Sequence, residues 1–226
     1  MSKLTLFVLL LSNLSFGQQP PAIYREFRNP EGFFFSNHLI LSSDGLFFST
    51  SSCECGKVYY GKGTWAIKKN ELQLKGFNSS KAYPKSTVKF INAEETDSVS
   101  LFVYDYFNKP MSSVFLGLIY NDTVTFKTTY GSVDSLGRLI VSKKDYGGFF
   151  LDYEARPSNH WKENDNPFHT FRKETKEVTI TVNFAGTTLD GDPVPFDFGN
   201  QTVMIKGDSL AIKKGKVLFR PKNADQ

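Results

Sequence analysis

From residue 178 to residue 184 the chain reads Val178, Thr179, Ile180, Thr181, Val182, Asn183, Phe184, with every second side chain apolar and the ones between polar. Successive side chains of an extended strand point to opposite faces, so this segment offers one face to a core and the other to water. A helix would scatter the same residues around its circumference. The pattern returns at Val99, Leu101 and Val103, at Trp65 and Ile67, and at Leu72 and Leu74. No run of ten or more residues carries apolar positions at helical spacing. The nearest approaches are short: Ile23 to Arg28, and part of Trp161 to Lys176. The expectation is an all-β protein with few short helices. Composition agrees, because 22 of the residues are Phe and such side chains fit half-buried pleated surfaces.

Turn chemistry falls between the alternating runs. Asp44-Gly45 separates Leu39–Ser42 from Leu46–Thr50, a strong local hairpin signal. Lys69-Asn70 joins Thr64–Lys68 to Glu71–Lys75, and Gly207-Asp208 joins Thr202–Lys206 to Ser209–Lys213. Gly215 then turns into Val217–Arg220. Many short strands linked by tight turns predict a sandwich or barrel. The stretch Thr64–Lys75 echoes Thr202–Lys213 residue for residue in pattern, as two hairpins built alike. The polar break Glu94-Glu95-Thr96-Asp97 places a boundary between a small barrel-like unit, residues 18–95, and a β-sandwich unit, residues 96–226, that includes the C-terminal hairpin. A single continuous sheet system is the alternative.

The first residues predict export. Lys3 precedes the apolar run Leu4 to Leu11, and Ser12 to Gly17 follow with small residues. A charged start, a short apolar middle and a small-residue exit form a secretory signal, with residues 1–17 removed before Gln18. The run is far shorter than the ~20 residues that span a bilayer, and no later segment is long and apolar enough. The expected location is the periplasm, the cell surface or the extracellular medium. A formal charge of +4 with Lys and acidic residues interspersed argues against nucleic acid as a partner.

Little in the chain carries recognisable chemistry. Cys53 and Cys55, two apart, project to one face if the strand continues through them. They form a local disulfide or thiol pair, pair elsewhere or with a partner, or bind a metal, which would need two further ligands from His38, His160 and His169. Gly56-Lys-Val-Tyr-Tyr-Gly61-Lys62-Gly63 nearly spells a phosphate loop. Its eighth position is Gly rather than Ser or Thr, and a strand rather than a helix follows, so the nucleotide reading fails. Asp190, Asp192 and Asp197 lack calcium-loop spacing and read as a solvated turn. No Gly-x-Ser-x-Gly and no His-Glu-x-x-His occurs, so no catalytic, cofactor or metal residue is assigned. Tyr59, Tyr60 and Trp65, with Phe33-Phe34-Phe35, either line a cavity for a small apolar ligand or fill a barrel core.

Three resemblances add to this reading. Leu39-Ile-Leu-Ser-Ser-Asp-Gly-Leu-Phe-Phe48, then Gly61-Lys-Gly-Thr-Trp65 and Leu72-Gln-Leu74, resemble the short lipocalin-like β-domains of exported Bacteroidetes proteins. Asp105-Tyr-Phe-Asn-Lys-Pro-Met111, Val114 and Asp134-Ser-Leu-Gly-Arg-Leu-Ile140 resemble the carboxypeptidase-regulatory-like β-sandwich. In that family Gly is usual where Asn108 stands, and Asn tolerates the left-handed backbone such a turn needs. Asp97-Ser-Val, Asp122-Thr-Val, Asp134-Ser-Leu and Asp208-Ser-Leu resemble the O-glycosylation signal of Bacteroidetes exported proteins. The carboxypeptidase-regulatory-like resemblance implies an accessory or binding module without an active site. The resulting expectation is a non-catalytic secreted or cell-envelope protein with a structural or binding role toward an unknown protein. Its rivals are a carrier of a small apolar ligand in the N-terminal unit and a hydrolase with an unrecognised site.

Overall fold

The computed structural model describes residues 23–28, 35–53, 57–78, 86–112, 114–121, 127–151, 168–186, 192–195, 197–211 and 217–221. Among these residues there are strands and no helix. The strands are β1 (Ile23–Arg28), β2 (Phe35–Ser42), β3 (Leu46–Cys53), β4 (Lys57–Lys68), β5 (Glu71–Gly76), β6 (Thr87–Asn92), β7 (Ser98–Tyr104), β8 (Phe115–Tyr120) and β9 (Thr128–Ser132). They continue with β10 (Arg138–Ser142), β11 (Tyr146–Leu151), β12 (Phe168–Thr170), β13 (Thr175–Thr181), β14 (Asp192–Pro195), β15 (Asn200–Lys206), β16 (Ser209–Ala211) and β17 (Val217–Pro221). The all-β expectation holds. The helix expected over Ile23 to Arg28 is instead β1, which pairs with β2 on one side and β17 on the other. Six residues are too few to nucleate a stable helix, whereas two flanking strands satisfy the backbone at once. Of the second helix candidate, Phe168–Thr170 and the start of β13 are strand, and residues 161–167 lie outside the described residues.

Hydrogen bonding runs β1–β2–β3–β4–β5–β15–β16–β17 and returns to β1, with every pair antiparallel. The sheet thus curls until its two ends meet, where Phe27 and Arg28 of β1 pair with Pro221 and Arg220 of β17. One face of the curled sheet gathers Phe27, Leu39, Leu41, Phe47, Leu72, Leu74, Val203 and Leu210, with Trp65, Phe198 and Ile205 packed against them. Gly63 sits opposite Phe47 in the β3–β4 register. A Cβ at Gly63 would come within 2.5 Å of Phe47 Cε1 and 2.2 Å of the Lys75 carbonyl, so only glycine lets the ring lie there.

β6 to β13 form two four-stranded sheets, ordered β10-β7-β13-β6 and β12-β11-β8-β9. Val99, Leu101, Val103, Val141, Val178 and Ile180 from the first meet Leu116, Leu118, Phe149 and Leu151 from the second in one core. This is a sandwich, and the alternating residues read from the sequence are its inward faces. The expected division at residue 95 does not follow these pairings. β6, on the N-terminal side of that cut, pairs with β13, and the C-terminal hairpin pairs with β5 and β1 rather than with the sandwich. The sandwich is therefore an insert within the curled sheet. The two hairpins that echo each other in sequence become neighbours there, through β5 and β15. Where the insert leaves and returns, Gly76 N donates to the Gly199 carbonyl at 2.6 Å, and Phe77 N donates to the Lys62 carbonyl at 2.9 Å. An insertion whose ends meet perturbs its host little.

Candidate functional site

The outward side chains of β2, β3 and β4 do not face water where the insert covers them. Ile40, Phe48 and Lys62 lie in register across the three strands. Phe107 and Ala185 of the insert close over Ile40 and Phe48 to make a small apolar cluster, flanked by Leu46 and Tyr106. Lys62 is trapped at its margin and is only 6 % exposed. Its ammonium lies 5.1 Å from the Phe48 ring centre and 4.7 Å from that of Tyr106. It donates to Asn183 Oδ1 at 2.8 Å. Two aromatic faces and one amide oxygen replace part of its water shell.

Asp44 supplies the nearby negative charge from the β2–β3 turn, where Gly45 takes φ +81°. The Ser42 hydroxyl lies within reach of Asp44 Oδ1 and of the Leu46 carbonyl, the latter at 2.7 Å. The Tyr106 hydroxyl donates to Asp44 Oδ2, across from the insert to the ring. Burial pulls the Asp44 carboxyl up, but the hydrogen bonds from Ser42, Tyr106 and Leu46 N outweigh it and the net direction is down. Burial pushes the Lys62 amine down from 10.5 to about 8, against the attraction of Asp44. Burial, then the bond to anionic Asp44, pushes the Tyr106 phenol up.

A second aspartate fixes the insert's side of this junction. Asp105 Oδ1 accepts from Phe107 N at 2.9 Å and from Lys109 N at 2.8 Å, and its Oδ2 accepts from Gly186 N at 3.2 Å. Burial raises this carboxyl despite those bonds. Asn108 closes the turn with φ 60°, the left-handed backbone expected of it. The same turn recurs at Asp134, whose Oδ1 accepts from Leu136 N and Arg138 N, both at 2.9 Å, and which closes on Gly137 at φ +70°. A buried amine with a lowered pKa has nucleophilic potential, but here aromatic rings and an amide enclose it. The arrangement couples two structural units electrostatically.

The residues singled out from sequence separate. Tyr60 is buried against Phe184, 4.9 Å between ring centres, and belongs to the sandwich core. Trp65 faces the other side of β4, packs on the ring's core, stacks on Tyr24 at 5.1 Å and donates Nε1–H to the Ser42 carbonyl at 3.0 Å. Tyr59 and Tyr60 are adjacent in one strand, so they point to opposite faces and do not share a lining. Cys53 ends β3 with its backbone opposite Phe35, and Cys55 lies outside the described residues, as do Phe33, Phe34, His160 and Asp190. β4 runs from Lys57 through Gly61 and Gly63, so residues 57–63 of the near-phosphate loop are strand, and Gly56 lies outside the described residues. His38 accepts from Arg28 Nε at 2.7 Å, and His169 stacks on Phe149 at 4.9 Å. Among the described residues no three His, Cys, Asp or Glu side chains gather to hold a metal ion. Among them, too, no helix is long and apolar enough to cross a membrane.

The sequence reading did not single out Lys62, Asp44 or Tyr106 as a cluster. The Asp-Gly turn marks Asp44, but nothing local marks a lysine in an alternating strand as buried. A concave surface lies elsewhere, at the end of the sandwich, where Tyr120, Tyr146, Lys127 and Lys144 border a cleft of about 750 Å³. The chain matches no known protein family, no curated protein and no solved structure.

Proposed function

We propose that this chain is a non-catalytic exported protein, secreted or held in the cell envelope, with a structural or binding role. The observation that carries the reading is the packing inside the curled sheet. Phe47 lies across Gly63, its ring 4.7 Å from that of Phe198, and seven other buried apolar side chains share the same cluster. An apolar carrier needs that volume for its cargo. The buried Lys62 amine joins the insert to the ring rather than facing an accessible surface. The charged start and apolar run at Lys3 to Leu11 support export.

The finer family reading keeps its motives. Eight antiparallel strands closing in a ring support a lipocalin-like relation for the host unit. The twice-used Asp turn, with Asn108 and Gly137 at its left-handed position, supports a carboxypeptidase-regulatory-like relation for the insert. Ser135 in its exposed turn supports modification of the Asp134-Ser-Leu triplet.

Native mass spectrometry of protein purified from its own cell envelope or medium tests the proposal. The expected species begins at Gln18 and carries no apolar ligand. A co-purified lipid or other apolar molecule bound one to one would replace the structural reading with the carrier. An intact N-terminus on the native protein would overturn export.

A further inference from the structure

Lys62 has a feature that joining two units does not require. A buried cation placed to hold the insert on the ring would gain most from a carboxylate, yet among the described residues this ammonium makes no ion pair. It meets a side-chain amide instead, donating to Asn183 Oδ1 at 2.8 Å. An ammonium has only donors, so the carbonyl oxygen rather than the amide nitrogen faces it. That contact puts Nζ about 3.5 Å from the amide carbon, the separation of a near-attack pair. Lys62 stands in β4 of the ring, and Asn183 follows β13 where the insert returns, 121 residues along the chain. Few packed side chains bring an amine and an amide carbon from such distant segments to this separation.

The surroundings favour reaction. The rings of Phe48 and Tyr106 flank the buried amine, so little water competes with the amide for it. Burial lowers the amine to about 8. At pH 7 about one molecule in ten then holds it neutral, against about one in three thousand for an ordinary lysine. A neutral amine in an apolar pocket is an activated nucleophile. Asp44 is the carboxylate whose charge acts on Lys62, and the Tyr106 hydroxyl donates to it from the insert. Nucleophile, electrophile and proton acceptor thus come from β4, from the segment after β13 and from the β2–β3 turn, and only the closed junction assembles them. An amide is a poor electrophile in free solution, and fixed geometry is what offsets that.

We propose that Lys62 and Asn183 join spontaneously in an isopeptide bond that ties the ring covalently to the insert. The Lys62 ammonium gives one proton to Asp44. The freed Nζ lone pair attacks Asn183 Cγ, the Nζ–Cγ bond forms, and the Cγ–Nδ2 bond breaks. The departing nitrogen takes the second Nζ proton and then the proton held by Asp44, so ammonium leaves and the Asp44 carboxylate is restored. No oxidant or co-substrate is needed. Until the bond forms, the amine titrates as a free one. Once formed, it closes the chain between residues 62 and 183 and constrains the unfolded state as a disulfide across a long loop does. The inference goes beyond the structural or binding role and does not depend on export.

The test is a tryptic map, read by mass spectrometry, of the intact purified chain after several days at about pH 8, where half of the amines are neutral. The expected product is a branched peptide joining Val58–Lys68 to Glu177–Lys206, uncut after Lys62 and lighter than its two parts by one ammonia. The mass of the whole chain does not decide, because an N-terminal Gln18 also loses ammonia when it cyclises. Lys62→Arg keeps the cation and is expected to leave the two peptides separate, as is Asn183→Ala. Asp44→Ser keeps amine and amide and is expected to slow the branched peptide's appearance about a hundredfold. Recovery of free Val58–Lys62 from the wild-type chain, with no branched product, overturns the inference and leaves the structural or binding reading standing. A branch at other residues, or one that persists in Asn183→Ala, overturns it as well. Formation as fast in Asp44→Ser overturns the part given to Asp44.

Discussion

Lys62→Met separates the energetic cost of the buried cation from its neighbours' packing. Burial lowers the Lys62 amine from 10.5 to about 8. At about 1.4 kcal/mol for each pH unit, the folded protein bears a penalty of about 3 kcal/mol for keeping this amine charged. Below pH 8 both the folded and the unfolded chain hold the proton, so the penalty is present in full. Between pH 8 and 10.5 the folded chain has released it while the unfolded chain still binds it, so wild-type stability rises with pH. Methionine follows the same path between Phe48 and Tyr106 without a charge. It forfeits the bond to Asn183 and the attraction of two rings, about 1 to 2 kcal/mol together. The variant is therefore expected to be more stable than wild type by about 1 to 2 kcal/mol at pH 7. It is expected to lose that lead as pH approaches 9.5. Urea unfolding of both proteins at half-unit steps from pH 6.5 to 9.5 reads the difference directly. Curves that stay parallel across that window would refute the reasoning, because the penalty would then not belong to Lys62.

Two other substitutions test the fold. Gly63→Ala places a Cβ against Phe47 and the Lys75 carbonyl, and a loss of about 2 to 4 kcal/mol is expected in the same unfolding assay; a loss under half a kcal/mol would mean that the ring of Phe47 does not lie there. At Asn108, φ 60° favours glycine and opposes a β-branched residue. Asn108→Gly is expected to leave the melting temperature nearly unchanged and Asn108→Val to lower it, by about 1 to 2 kcal/mol of stability. Equal effects would place the turn in another conformation.

Legibility in the sequence followed the range of each interaction. Alternation at Val178 to Phe184 marked the inward face of β13 because the two-residue period is a property of the backbone itself. The turns at Gly45, Lys69 and Gly207 were readable for the same reason, since each takes a positive φ that a few residues decide. Asp105 was readable as part of a turn, though not as a buried anchor to Gly186. Ile23 to Arg28 misled because six residues carry too little pattern to separate helix from strand, and its strand partners lie elsewhere in the chain.

Residue order by itself determined that this chain makes strands, where most hairpins turn, and which side chains face a core. Only the tertiary structure decided which strands share a sheet, that β15 to β17 close a ring begun by β1 to β5, and that a sandwich interrupts that ring. The physical reason is that strand pairing uses the same backbone groups everywhere, so nothing local tells an edge which partner will reach it. Lys62 shows the consequence. Its strand position assigns it to an outward face, and it is the arrival of Tyr106 and Asn183 from the insert that turns this outward face into an interior.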